Sequence, residues 1–126
     1  MPQLEPTVET IRDMTPIPQA IYLAEVVAHE EKVSKPNKQT GATSMNDFVT
    51  FKITEGEQHD RKIKKCFNEQ VQTPGLRFFA ALGAKIEPGA KLDWEKTIGR
   101  PLKISVIKKL FEGRTVNDID DFLPAE

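Results

Sequence analysis

Three groups of basic residues occupy the middle of the chain, between two acidic ends. The groups are Lys32, Lys35 and Lys38; Arg61, Lys62, Lys64 and Lys65; and Arg100, Lys103, Lys108, Lys109 and Arg114. Residues 1–31 and 117–126 are predominantly acidic. This distribution favours an anionic partner for the middle of the chain, whereas each group taken alone is also typical of a solvated surface.

Phe48 is the aromatic residue best placed to contact such a partner. Alternation along the chain puts Val49, Phe51 and Ile53 on one face of a strand, which leaves Phe48 on the other face with Thr50 and Lys52. An outward ring can stack on a base of single-stranded nucleic acid for about 1–3 kcal/mol, while a nearby lysine neutralises a phosphate. The alternative is that Phe48 packs under the N-terminal arm or in an oligomer interface.

Residues that could catalyse a reaction are few and scattered. His29 and His59 lack a metal-ligand partner at helical spacing, and Cys66 in a strand is most simply a small core residue. Asp118 and Asp120 could share a strand face and hold Mg²⁺ as in a nuclease, but their spacing shows no further carboxylate or base converging on them. We therefore predict no catalytic residue, no metal site and no cofactor, and we do not expect an enzyme.

Length and composition indicate one globular domain of 126 residues. No apolar run approaches the roughly 20 residues of a membrane span, so no membrane association is expected. The first residues lack the pattern of a secretory signal, and one cysteine cannot form an internal disulfide. These features together favour the cytoplasm, which is that of a host cell if the chain is phage-encoded.

The elements that must position these residues are five strands and one helix. The predicted strands are 20–29, 47–54, 61–68, 102–111 and 115–122. The predicted helix has Thr73 as its N-cap and Pro74 at its first helical position, and it ends near Gly83. A loop is expected over 32–44, and short helical turns over 8–14 and around Trp94. Three strands, a helix and two strands is the order of a five-stranded OB-fold barrel. Another small barrel or an α+β meander is the alternative.

In an OB-fold, the second and third strands and the 1–2 and 4–5 loops form the binding groove. The basic groups converge on those elements. The predicted nucleic-acid-binding residues are Lys32, Lys35, Lys38, Phe48, Lys52, Arg61, Lys62, Lys64 and Arg114.

Several short motifs resemble those of a bacteriophage family of small proteins long catalogued as a domain of unknown function. They are Ile17-Pro18, Tyr22-Leu23-Ala24-Glu25-Val26, Glu31-Lys32-Val33-Ser34-Lys35, Phe48-Val49-Thr50-Phe51, Arg61-Lys62-Ile63, Ile98-Gly99-Arg100-Pro101-Leu102, and Asn117-Asp118-Ile119 followed by Phe122-Leu123-Pro124. The family lies beside phage recombination and replication genes and looks like single-stranded DNA-binding proteins. The resemblance spans about residues 16–124 and implies DNA binding, without fixing which side chains bind.

The chain departs from that family at two places. Ala20 and Ile21 stand where the family usually has a glycine, and the turn after Ser34-Lys35 is lengthened to residues 36–44. A longer loop could reach further around a DNA strand or could serve another partner.

The two chain ends complete the predicted organisation. Residues 1–18 form an arm that leads into the domain, and such ends are commonly mobile; residues 19–126 form the barrel. Asp120, Asp121 and Phe122 resemble the acidic tail with an apolar tip through which single-strand binders recruit replication or recombination proteins. Because the acidic residues follow the last predicted strand with almost no linker, a strand end and its cap are favoured over such a tail.

The sequence therefore predicts sequence-independent binding of single-stranded DNA in phage replication or recombination. The alternative is a protein-interaction module that docks a recombinase or a host factor without binding nucleic acid. A homodimer is compatible with the exposed edges of such a barrel, but no feature of the sequence requires it.

Overall fold

The computed structural model describes residues 3–126, apart from the side chains of residues 9 and 13. Its helices are α1 (Val8–Met14), α2 (Gln72–Ala81) and a short 3-10 helix, η1 (Trp94–Thr97); its strands are β1 (Ala20–Val33), β2 (Met45–Ile53), β3 (Lys62–Asn68), β4 (Pro101–Phe111) and β5 (Arg114–Leu123). The five strands form one antiparallel sheet in the order β3-β2-β1-β4-β5. The predicted mostly-β architecture, with one helix between the third and fourth strands, is confirmed.

The long strand β1 lies at the centre of the sheet. Its first half pairs with β4, from Ala20 opposite Val106, and its second half pairs with β2, as far as Val33 opposite Met45. A bulge between Val26 and Ala28 shifts the register with β2. Bulges increase the local twist, so β1 can curve and carry two partners in one coiled sheet.

The hydrophobic core lies between the inner face of this sheet and α2. The inner side chains of β2 are Val49, Phe51 and Ile53, as the alternation predicts, and Phe78 of α2 packs edge-on against Phe51. Phe79 also belongs to this core, and the partly buried Trp94 packs against it.

The N-terminal arm contributes to this core. Ile17 is only 2% exposed, and its backbone N–H and C=O both bond the side-chain amide of Asn117, at 2.7 and 2.8 Å. The hydrophobic core therefore includes a residue of the predicted arm. Residues 1 and 2 of that arm lie outside the described residues.

The start of α2 differs from the prediction. The helix begins at Gln72 with Val71 as its N-cap, so Thr73 is not the cap and Pro74 is the third helical residue. A proline is tolerated there because the first turn of a helix leaves its N–H groups without intrahelical acceptors. α1 lies at the predicted position, with Thr7 as N-cap accepting a hydrogen bond from the Thr10 N–H.

The first two strands are longer than predicted. β1 continues to Val33 and β2 begins at Met45, so the connecting loop is shortened to 34–44. The extra residues of β1 are exposed and mostly charged, and cross-strand pairing with β2 determines their conformation.

β3 and β5 are the two edges of the sheet, and a contact between Lys65 and Asp118 joins them. The Lys65 ammonium of β3 is 3.1 Å from Asp118 of β5, and Lys109 of β4 is 2.9 Å from the other oxygen of the same carboxylate. Among the described residues, no ladder of backbone hydrogen bonds links these edges. Within residues 3–126, no helix is long and apolar enough to cross a membrane.

Candidate nucleic-acid interface

The outer face of β1, β2 and β3 collects most of the predicted binding residues in neighbouring rows. In the first row, Phe48 of β2 lies opposite Cys66 of β3 and Glu30 of β1. The next rows pair Thr50 with Lys64, and Lys52 with Lys62. Lys32, two residues beyond Glu30 on β1, belongs to the same surface. We call this surface the lysine face.

Phe48 lies at the middle of the lysine face and is partly exposed. Its two neighbours on β2, Asp47 and Val49, point inward and are buried. Phe48 therefore points away from the core, as predicted. The Lys32 ammonium lies over its ring, 5.7 Å from the centroid. The ring is therefore held beside a cation with part of its surface open to a ligand.

Two of the four lysines on this face also contact acidic neighbours. Lys52 is 3.2 Å from Glu25, and Lys32 is 3.6 Å from Glu30. The charges of these pairs are partly exposed, so such contacts are weak and can exchange for a phosphate. Lys62 and Lys64 are exposed on β3, and they give the face its excess of positive charge.

The loop between β1 and β2 holds Lys35 and Lys38 at the end of the lysine face. The Asn37 side chain accepts hydrogen bonds from the N–H groups of Gln39 and Thr40, and Ser34 bonds Ser44 across the base of the loop. Both lysines are exposed. The loop is thus an ordered extension of this basic surface.

Arg61 is not part of the lysine face, contrary to the prediction. It precedes β3 by one residue and falls on the side of the buried Ile63, where its guanidinium donates to the Thr15 carbonyl at 2.5 Å and to Gln58 at 3.1 Å. Alternation along β3 places Lys62 outward, so the adjacent Arg61 must point the other way. Its role here is to hold the N-terminal arm.

Arg114 also lies apart from the lysine face. It is exposed where β5 begins, opposite Phe111 at the end of the β4–β5 hairpin. The fold brings together the other predicted binding residues, which are Lys32, Lys35, Lys38, Phe48, Lys52, Lys62 and Lys64.

The acidic C-terminal residues belong to β5 and do not form a tail beyond the strand. Phe122 is buried in the core, where its ring contacts Phe51, Phe67 and Phe78. Because that ring is buried, Phe122 is not available as the apolar tip of a recruiting tail. Asp120 is exposed and Asp121 partly exposed.

Asp118 has a structural role. Burial raises the pKa of its carboxyl, but hydrogen bonds from Lys109, from the Ile119 N–H and from Lys65 outweigh this effect and hold the pKa below its usual value. Two ammonium groups already neutralise this carboxylate, so the geometry does not favour the Mg²⁺ site considered for Asp118 and Asp120.

A buried histidine with two carboxylate partners is the feature that the sequence did not reveal. The His29 side chain is 4% exposed; Nε2 is 2.7 Å from Asp47 and Nδ1 is 2.5 Å from Glu95, while the ring stacks on Trp94. Burial lowers the pKa of His29, but the hydrogen bonds and charges of Glu95 and Asp47 outweigh it, so the pKa lies above its usual value of 6.5. These three residues come from β1, β2 and η1, and only the register of the folded sheet brings them together.

Comparison with known proteins gives no relative to this chain: no family model and no curated protein sequence matches it. We therefore infer the function from the geometry of the lysine face.

Proposed function

We propose that this protein binds single-stranded DNA, without reading its sequence, on the lysine face. The observation that carries the proposal is the partly exposed Phe48 ring with Lys32, Lys52, Lys62 and Lys64 on the same face of the sheet. A ring of this kind stacks on a base, and lysines on both sides can follow the phosphates. Stacking requires an unpaired base, so a single strand is the expected ligand.

We further propose that the sheet closes into an OB-fold barrel. Successive antiparallel pairings from β3 through β2, β1 and β4 to β5 make β3 and β5 run in the same direction. The bridge from Lys65 to Asp118 brings these two edges close together. A partly open barrel with a helix between its third and fourth strands fits both observations.

The biological setting is proposed from the resemblance to the phage family. A sequence-independent single-strand binder in the cytoplasm of an infected cell would cover DNA exposed during replication or recombination. Its affinity would come from cations and stacking, and this mode of binding needs neither a metal nor a cofactor.

Fluorescence anisotropy of a labelled oligothymidylate, with a duplex of equal length as the control, tests this proposal. We expect tight binding at low salt, weaker binding to the duplex, and a steep loss of affinity as salt rises because counterions are released from the phosphates. Absence of binding at low salt would contradict the proposal. The lysine face would then be a docking surface for an acidic protein, such as a recombinase or a host factor.

Lysine variants test whether binding uses this face. Replacing Lys62 or Lys64 by Gln should reduce the slope of log affinity against log salt by about 0.7 for each phosphate that the variant no longer neutralises. Lys96→Gln is the matched control, because Lys96 is an exposed lysine on η1, away from the lysine face. If Lys96→Gln reduced the slope equally, the effect would come from the net charge of the protein and not from binding at the lysine face.

A further inference from the structure

A cleft of about 640 Å³ opens beside α2, at the end of the molecule where β3 finishes. Its walls are largely apolar and include Phe67, Leu76, Phe79, Ile86, Leu92 and Trp94. Trp94 packs against α2 at Gly75, where a Cβ would lie in van der Waals contact with the indole ring, at 3.4 Å. We call this feature the helix cleft.

Every charged residue among the described lining residues of the helix cleft is acidic. Asp47, Glu69 and Glu87 carry carboxylates there, and none of the described lining residues is lysine or arginine. Asp47 is bonded to His29, and Glu69 accepts a hydrogen bond from the Met45 N–H. Glu87 lies 3.5 Å from Lys85, but both side chains are exposed, so this contact is weak and can exchange for another cation. An apolar cleft with this charge repels phosphate and suits a ligand that is both apolar and basic.

The tip of the β4–β5 hairpin has that chemistry. We call residues 108–114 the hairpin tip. Leu110 and Phe111 are 78% and 55% exposed, which is unusual for such large apolar side chains at adjacent positions. Lys108 and Arg114 are exposed beside them. Glu112 and Gly113 both have positive φ, as tight two-residue hairpin turns require, so the tip is preorganised for binding.

The hairpin tip and the helix cleft lie at opposite ends of the molecule. β3 and β5 run in the same direction and touch where Lys65 meets Asp118. β5 begins at the hairpin tip, on one side of that contact, and β3 ends at the helix cleft, on the other side. The hairpin tip therefore cannot reach the helix cleft of its own chain, and a contact between these two surfaces would have to join two copies.

We infer that the hairpin tip of one copy of this protein docks into the helix cleft of a second copy. Leu110 and Phe111, which alternation places on opposite faces of the hairpin, would contact opposite walls of the apolar cleft. Lys108 and Arg114 would face the carboxylates of Glu69 and Glu87. Because the contact joins two different surfaces, it leaves a free tip at one end and a free cleft at the other, and copies can add in a head-to-tail chain. The association does not require nucleic acid. Its consequence, cooperative coverage of a strand, does rest on the proposed function.

Sedimentation velocity of the full chain, without DNA, tests the association. The wild-type protein should sediment faster as its concentration rises, with a parallel change in the emission of Trp94, the chain's one tryptophan, which lines the cleft. The double variant Leu110→Ser/Phe111→Ser removes the apolar tip, and Ile86→Lys places a cation at the cleft. Each variant alone should remain monomeric.

Mixing the two variants distinguishes a head-to-tail contact from a symmetric one. The tip variant keeps an intact cleft and the cleft variant keeps an intact tip, so an equimolar mixture should form a dimer and no larger species. Ile98→Lys is the matched control, because Ile98 is as exposed as Ile86, at 42% against 40%, and lies outside the cleft. It should associate like the wild type.

Three results would overturn the inference. The first is a wild-type protein that stays monomeric at every concentration. The second is a tip or cleft variant that, on its own, associates as the wild type does. The third is a mixture of the two variants that yields no dimer although the wild type associates. A monomeric wild type would leave the helix cleft to a basic apolar segment of another protein.

Discussion

Phe48 is the residue on which the proposed binding mode depends most. Phe48→Ala should weaken binding of an oligothymidylate by about 1–3 kcal/mol, because a stacked base loses its aromatic partner. Phe48→Trp should keep or improve the affinity, whereas Phe48→Leu, which keeps an apolar side chain without a ring, should behave like the alanine variant. The dissociation constants follow from anisotropy titrations. Unchanged affinity in the alanine and leucine variants would remove stacking from the mechanism.

His29 makes stability depend on pH in a definite direction. The pKa of His29 is raised in the folded protein. Its contacts with Asp47 and Glu95 therefore stabilise the fold fully at a pH below the unfolded-state pKa of about 6.5. This stabilisation is lost as the pH rises through the pKa of His29 in the folded protein. The difference in unfolding free energy between wild type and His29→Gln should therefore shrink as the pH rises.

Urea unfolding at several pH values measures this difference. Both proteins should carry His59→Gln, because His59 is the chain's other histidine and its removal leaves His29 as the only imidazole in the comparison. A difference that grows with pH would mean that the pKa of His29 is lowered in the folded state.

At the scale of elements, the seam between β3 and β5 depends on Asp118. Asp118→Asn should lower the unfolding free energy at neutral pH by about 1–3 kcal/mol, because the partly buried Lys65 and the exposed Lys109 lose a charged acceptor. The carboxyl has a lowered pKa, so its stabilisation is present above the usual value of 3.8 and disappears as the pH falls through the folded value.

Chemical denaturation at pH 7 and in acid measures this effect. Asp120→Asn is the matched control, since Asp120 is an exposed aspartate on the same strand, and a surface substitution there should change stability by less than about 0.5 kcal/mol. Equal decreases in the two variants would show that the Lys65–Asp118 contact does not stabilise the seam.

The sequence predicted the elements better than it predicted the contacts between them. Alternation in β2 was enough to separate Phe48 from Val49 and Phe51, because one face of that strand is buried. The end of β1 was missed because exposed, charged residues there carry no alternation, and pairing with β2 alone keeps them extended. Arg61 was grouped with Lys62 and Lys64 because all three lie in one basic run, although neighbouring side chains of a strand point to opposite faces.

At the scale of the whole molecule, two surfaces of opposite character lie on different parts of the fold. The lysine face carries cations around an aromatic ring, and the helix cleft carries carboxylates around apolar walls. A nucleic acid attracted to the first is repelled by the second, so both surfaces can be occupied at once. The site at His29 could not be found from sequence, since its three members are separated along the chain and meet only through the fold.

Cys66 offers the most direct test of where DNA binds. It is the chain's one cysteine, it is exposed, and it lies directly opposite Phe48 on the lysine face. Burial raises the pKa of its thiol, with a smaller opposing effect of Lys65, so alkylation is best followed at mildly alkaline pH.

The rate of alkylation of Cys66 by a maleimide should be measured with and without saturating oligothymidylate, with binding verified by anisotropy in the same buffer. If single-stranded DNA occupies the lysine face, the bound oligonucleotide should slow the reaction at least about tenfold, whereas a non-binding duplex should leave the rate unchanged. An unchanged rate in the presence of a bound single strand would contradict the assignment of this face.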